Sequence, residues 1–197
     1  YNFGLGYDPN SDDYKVVKIS EDDLEAPTEA LSLKTGSCRK IYEGYCTFQC
    51  DNMDYLTSVR RTFHWLADSE GYRFSLFHLI ISNEAFGELP LSKEMPLLCD
   101  TIEQGLTVLD GMLSVNFVCV KEDTIVFDLW VMKEYGIEES WTKLFTMKDS
   151  RKRFQVLPIT PKYIFADGRV LLNSDRRDVL RKFKESDRRS NLYSASK

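Results

Sequence analysis

Two histidines, five cysteines and a scatter of paired carboxylates are the raw material for catalysis in this sequence. A nucleophile–histidine–acid site would have to use His64 or His78. Neither stands beside the glycine turn that an exposed nucleophile and its oxyanion donors need. His64 sits in Phe63-His64-Trp65 and His78 in Phe77-His78-Leu79, settings that predict strand histidines satisfied by a neighbouring group. Cys46, Cys50 and His64 could be written as a metal set, but the Cys-x-x-x-Cys spacing has no second pair at a fitting distance. Gly4-Leu5-Gly6 lacks the third glycine of a phosphate loop, and a Pro/Asp turn follows where a helix N-terminus should hold the anion. The spacing reads instead as strand glycines where rings or sheets pack closely. Asp12-Asp13, Asp22-Asp23 and Glu138-Glu139 are adjacent pairs. Neighbours on a strand point to opposite faces, and in polar turns they are solvated, so they make poor acid/base partners. The expectation is a protein with no catalytic residue, no cofactor and no metal.

The bulk properties fit a binding module. At 197 residues and 43% hydrophobic content the chain can bury one core, which excludes a disordered segment. No apolar run approaches the roughly 18 residues of a spanning helix. The cysteines are odd in number, mostly in apolar contexts, and no Asn-x-Ser/Thr acceptor occurs, which points to a reducing cytoplasmic or nuclear home. The net charge of −5 hides an asymmetry: residues 1–147 carry 12 Lys/Arg against 25 Asp/Glu, and residues 148–197 carry 14 against 6. An intramolecular charge match explains this; an acidic partner is the sharper reading. The basic part lacks zinc-finger spacing and the signature of an RNA-binding sheet, so nucleic acid is not expected. A start at Tyr1 with no signal pattern reads as a fragment.

What must position any functional side chain is a succession of short strands. Alternation and turn chemistry predict strands over residues 3–7, 14–19, 30–33, 38–42, 62–67, 74–82, 85–89, 106–109, 112–120, 125–133, 141–147, 154–157, 162–166 and 169–173. Turns are expected at 8–13, 34–37, 68–71, 83–84, 110–111 and 167–168. Asp110-Gly111 is the strongest short hairpin signal. Residues 178–185 fit a short helix as well as a strand. The run from Ile125 to Met132 is apolar on both faces apart from Asp128, as in a strand covered on both sides. Antiparallel meanders with doubly buried middle strands, and turn signals recurring every few tens of residues, point to an all-β, partial or open β-propeller. About a dozen strands of this kind correspond to roughly three four-stranded blades.

The residues also resemble a family. Gly4-Leu5-Gly6-Tyr7-Asp8-Pro9-Asn10-Ser11-Asp12-Asp13-Tyr14-Lys15-Val16-Val17-Lys18-Ile19 is similar to the opening signature of plant F-box-associated domains. Phe63-His64-Trp65-Leu66-Ala67 resembles that family's H/Y-W-L strand, Phe86-Gly87-Glu88-Leu89-Pro90-Leu91 its F-x-E-I/L-P strand, and Leu109-Asp110-Gly111-Met112-Leu113-Ser114 its L-x-G-x-L hairpin. The segment Leu129-Trp130-Val131-Met132-Lys133-Glu134-Tyr135-Gly136-Ile137-Glu138-Glu139-Ser140-Trp141-Thr142-Lys143-Leu144 closely resembles its W-V-M-K-E-Y-G-V-x-x-S-W-T-K stretch. The family includes S-locus F-box-like and F-box–kelch-like branches. The resemblance covers residues 1–175, a propeller-like domain expected to be incomplete on its N-terminal side; residues 176–197 read as a basic, divergent tail.

The resemblance implies a non-catalytic subunit that selects the target of a Skp–cullin–F-box ubiquitin ligase. An F-box upstream would bind the Skp-type adaptor and through it a cullin; none is visible in this chain. A stand-alone binding or decoy module lacking the F-box is the alternative, and an enzyme on a propeller scaffold would need convergent histidines or carboxylates in one pocket. The inter-strand stretches 42–54, 91–103 and 135–139 are the expected docking loops. Tyr42, Tyr45, Phe48, Tyr55, Arg60, Arg61 and Tyr135 carry the aromatic and guanidinium chemistry of interface hot spots, though the same aromatics would serve equally to cap the core. Tyr14, Trp65, Trp130 and Trp141 are expected in the core.

Overall fold

Pro9 fixes the backbone and the Asp8 carboxylate accepts the Asn10 amide at 2.9 Å, which folds β1 (Asn2–Asp8) back onto β2 (Asp13–Ile19) in register from Asn2↔Ile19 to Asp8↔Asp13. The computed structural model describes residues 2–19, 28–42, 56–69, 73–96, 101–121, 124–149, 159–174, 177–182 and 190–191. The chain divides into two compact units, Tyr1–Leu91 and Ser92–Lys197.

In the first unit β1 and β2 continue into β3 (Thr28–Ser32) and β4 (Cys38–Tyr42) as an antiparallel meander. A second meander holds β5 (Thr57–Val59), β6 (Thr62–Ser69), β7 (Arg73–Ile80) and β8 (Ala85–Leu89). Val17 and Ile19 of the first sheet pack with Leu56, Phe63, Trp65, Leu79 and Ile81 of the second segment. The glycines of β1 make that approach possible: a Cβ on Gly4 would lie 2.6 Å from the Phe63 ring, and one on Gly6 would collide with the Ile81 side chain. The close-packing reading of these glycines therefore holds.

The second unit contains a meander of β9 (Thr101–Leu109), β10 (Met112–Lys121), β11 (Thr124–Met132) and β12 (Trp141–Asp149). A three-stranded sheet follows, made of β13 (Ile159–Ile164), β14 (Arg169–Ser174) and β15 (Arg177–Lys182). The short β16 (Ser190–Asn191) pairs in parallel with β12. Asp110 and Gly111 both have positive φ, 49° and 73°, as the primed hairpin turn requires. Every residue from Val126 to Met132 is buried, so β11 is covered on both faces as its sequence predicts. Asp128, the one charge in that run, is hydrogen-bonded by Thr146 and paired with Lys143 at 3.2 Å. Phe127, Leu129, Val131, Phe145 and Met147 share a core with Val170 and Leu172 of β14.

The fold class is all-β and antiparallel apart from the short β12–β16 pair, but the count differs from roughly three four-stranded blades: the described residues form sixteen strands in four sheets. β5 has only three residues, too few for a periodic signal. Expected to start at 106, β9 begins at Thr101, because its polar first half pairs along the length of β10. Pro161 lies inside β13, which therefore precedes the expected 162–166; the strand is at a sheet edge and its register shifts there, where a missing amide costs least. Asp68 and Ser69, expected in a turn, still pair with Phe74 and Arg73. Residues 177–182 are strand, not helix. The expected strand at 154–157 lies outside the described residues.

Candidate functional site

Four turns meet at one end of the first unit. Lys34 donates its amide to Asp13 Oδ1 at 2.8 Å, tying the 33–37 turn to β2. Asn10 Nδ2 donates to the Ser82 carbonyl at 3.3 Å, and the Ile81 amide donates to the Arg61 carbonyl at 3.3 Å. The β1–β2, β3–β4, β5–β6 and β7–β8 connections thus form one hydrogen-bonded surface from two sheets.

An ion chain runs beneath it. Lys15 Nζ lies 2.8 Å from Asp8, 2.9 Å from Glu84 and 3.4 Å from the Ile81 carbonyl, and Arg39 reaches the same Glu84 oxygen at 2.5 Å. Burial alone would raise the Asp8 carboxyl, but hydrogen bonds from Lys15, Ser11 and the Asn10 amide, together with the Lys15 charge, hold its pKa at about 2. Burial would lower Lys15; its bonds to Asp8 and Glu84 outweigh that and raise it. Both groups are therefore charged at neutral pH.

Above the chain opens a cleft of about 300 Å³ lined by Ser11, Asp13, Lys15, Ser32, Lys34, Thr35, Ser37, Arg39 and Glu84. The Ser11 hydroxyl donates to Asp8, and those of Ser32, Thr35 and Ser37 are ordered by Asp13. Ser32 donates to Asp13 Oδ2 at 2.5 Å, Thr35 donates to Ser32 at 2.8 Å, and the Thr35 and Ser37 oxygens are 2.7 Å apart. Thr35 has spent its one proton on Ser32, so Ser37 must donate to Thr35. The Ser32 hydrogen bond is the chief cause that holds the Asp13 carboxyl below its ordinary value. Beside the cleft, Tyr7 donates to Asp12 at 2.8 Å, which raises its pKa, and its ring lies 5.2 Å from that of Tyr14. Tyr14 is 54% exposed, so it is not the core residue expected; on β2 it lies on the face opposite Asp13, Lys15, Val17 and Ile19. Trp65, Trp130 and Trp141 are buried as expected.

Of the residues singled out in the sequence, Arg60 and Arg61 lie on this surface. They form the β5–β6 turn, both exposed, with left-handed φ of 52° and 62°. Tyr42 ends β4, paired with Thr28, at the far end of that strand from the 33–37 turn. Tyr135 is in the second unit, half-buried in the turn after β11, before the 3-10 turn Glu138–Ser140. Tyr45, Phe48 and Tyr55 lie outside the described residues. Sequence reasoning missed Lys15, Lys34, Arg39 and Glu84. One signal was present: Lys15 is in phase with the inward Val17 and Ile19, and an inward lysine demands a buried acid.

The histidines are packing residues. His64 is wholly buried opposite His78 in the β6–β7 register, with Nδ1 3.4 Å from the Thr57 carbonyl. Burial, with a small contribution from His78, lowers its pKa to about 4, the Thr57 bond opposing. His78 differs from expectation: its Nδ1 is buried without a hydrogen-bond partner among the described residues, its ring lying over Gly87. Among the described residues no group of three His, Cys, Asp or Glu is arranged to hold a metal, and no helix is long and apolar enough to cross a membrane.

The family described as F-box associated beta propeller domain matches residues 1–191. The chain belongs to that family. Among curated relatives of this F-box-associated domain, F-box protein CPR1 of Arabidopsis thaliana is 30% identical over 169 residues, covering 74% of this chain and 40% of CPR1. F-box/kelch-repeat protein At3g23880 of the same plant is 29% identical over 150 residues, covering 74% of this chain and 39% of its own. The domain thus spans about two fifths of the curated relatives it matches. Among solved structures, TolB from Acinetobacter baumannii superposes with a TM-score of 0.43 at 11% identity, over 90% of this chain and 42% of TolB.

Proposed function

We propose that this F-box-associated domain is the target-recognition part of a Skp–cullin–F-box ubiquitin ligase. The observation that carries the reading is the family match over residues 1–191, supported by relatives that are F-box proteins. The domain contributes binding energy and placement: it holds a target near the ubiquitin-conjugating enzyme and raises the local concentration of acceptor lysines. Catalysis belongs to other subunits, and no cofactor is needed. The work is done in the cytoplasm or nucleus, where the adaptor, cullin and proteasome operate.

Docking is assigned to the four-turn surface of the first unit. Two sheets fix it, and Arg60, Arg61, Tyr7 and Tyr14 present guanidinium and aromatic groups to water there. The arginines occupy positions where a primed turn prefers Asn-Gly, so the chain keeps them at a conformational cost.

Affinity capture of the full-length protein from plant cells, with and without proteasome inhibition, tests the reading. Recovery of a Skp-type adaptor and a cullin, with a protein enriched by the inhibitor, is the expected result. Partners recovered reproducibly without the adaptor would replace it with the stand-alone binding module.

A further inference from the structure

The cleft between the β3–β4 turn and the β7–β8 turn has a surplus of hydrogen-bond donors. Its two aspartates are bonded on both oxygens and its glutamate on one. Asp8 accepts from the Asn10 amide through Oδ1, and from Ser11 and Lys15 through Oδ2. Asp13 accepts from the Lys34 amide and from Ser32, one on each oxygen. A single oxygen of Glu84 serves Lys15 and Arg39 together.

The two cations on the water side are under-used. Arg39 is 64% exposed and, among the described residues, bonds only Glu84, through one of its terminal nitrogens. A guanidinium carries five N–H donors in a planar fork. The Lys34 side chain is 58% exposed and, among the described residues, its ammonium reaches only Asp12, at 3.4 Å to the carbonyl and 3.7 Å to the carboxylate. Because Ser37 gives its proton inward to Thr35, its oxygen lone pairs are left for an N–H from outside. The cleft is open, so a group entering it can remain attached to a protein chain.

Resting on the docking reading above, we infer that this cleft receives an anionic oxygen group projecting from the docked protein, a carboxylate or a phosphoryl group. Arg39 grips the oxygens with its fork and Lys34 adds a point charge from the turn. Ser37 accepts a neighbouring backbone N–H of the same partner. A lysine-tipped segment is disfavoured, since it meets the like charges of Arg39 and Lys34 on the water side of the cleft.

The probes are three short peptides differing only in the central residue: Glu, phosphoserine or Gln. Each is titrated at millimolar concentration into the 15N-labelled 197-residue chain. Saturable shifts of the Lys34, Gly36, Ser37 and Arg39 amides are expected with at least one acidic peptide, but not with Gln. Arg39→Gln and Lys34→Gln should each weaken binding at least about tenfold, as loss of a charge-assisted bond does. Both side chains are exposed, and an unchanged spectrum elsewhere verifies the fold of each variant. Lys133→Gln, which removes an exposed cation of the second unit, should leave the titration unaltered. Binding of phosphoserine alone names the phosphoryl source; equal binding of Glu shows that a carboxylate suffices. Absence of saturable shifts, equal shifts with Gln, or binding that survives the Lys34→Gln/Arg39→Gln pair overturns the assignment. If the peptides fail while capture still returns adaptor, cullin and target, the ligase reading stands and the anion cleft falls. If the peptides bind and capture returns no adaptor, the reverse holds.

Discussion

Lys15 and Glu84 are 69 residues apart in sequence and 2.9 Å apart in the first unit. Lys15 rises from the inward face of β2, and Glu84, with a left-handed φ of 55°, closes the β7–β8 turn. Their pairing, with Asp8 behind Lys15, joins two sheets through charges largely withdrawn from water.

Lys15→Met should therefore destabilise the protein by on the order of 3 kcal/mol, because it leaves the Asp8 carboxylate buried without its cation. Urea titration followed by tryptophan fluorescence measures this. The double variant Lys15→Met/Asp8→Leu should recover a large part of the loss. A single variant as stable as the parent would mean that the chain of charges contributes nothing net.

Stability should fall as the solution is acidified from pH 6.5 towards 4. His64 is neutral in its buried site down to about pH 4, while in the unfolded chain it takes up a proton near its ordinary 6.5. Protons thus bind preferentially to the unfolded state in that window, and the cost reaches about 3 kcal/mol at its lower end. Asp8, held near 2 against an ordinary 3.8, adds a further loss only below about pH 4. Urea midpoints at pH 7, 6 and 5 check the first phase, and His64→Gln should flatten it if the variant folds.

Replacing Arg60 by Asn and Arg61 by Gly should stabilise the protein by about 1 kcal/mol or more, since both positions have left-handed φ. The same double variant should lose captured target while keeping adaptor and cullin. A gain in melting temperature with undiminished target recovery would remove the arginines from the docking surface.

Gly6→Ala should cost about 1 to 3 kcal/mol, because the added methyl meets the Ile81 side chain between the two sheets. Shortening the obstacle with Ile81→Val in the same chain should return part of the loss, which a thermal melt of the pair would register.

How much of this was legible follows from how local each feature is. The Asp110-Gly111 hairpin and the unbroken burial of β11 are written in consecutive residues. So was the close approach at Gly4 and Gly6, although the partners Phe63 and Ile81 were not. Arg60 and Arg61 could be chosen for their chemistry, but no Asn or Gly announced that they formed a primed turn. Of the cleft only the inward phase of Lys15 was legible. Its charges come from β2, the β3–β4 hairpin and the β7–β8 turn, and no periodicity links Arg39 to Glu84. Tyr14 was misread as core because a large aromatic in a motif looks buried, whereas strand phase puts it opposite the inward residues.

The seven consecutive buried residues of β11 carry a consequence of another kind. A strand with no watery side has no position where the alphabet can widen, since a charge placed anywhere along it must find a partner as Asp128 found Lys143. A lineage that needs to pursue new targets cannot experiment there. Its room for invention lies at tips such as 33–37 and 60–61 and at outward strand positions such as Tyr7 and Tyr14, so novelty and permanence occupy separate letters of the same short text.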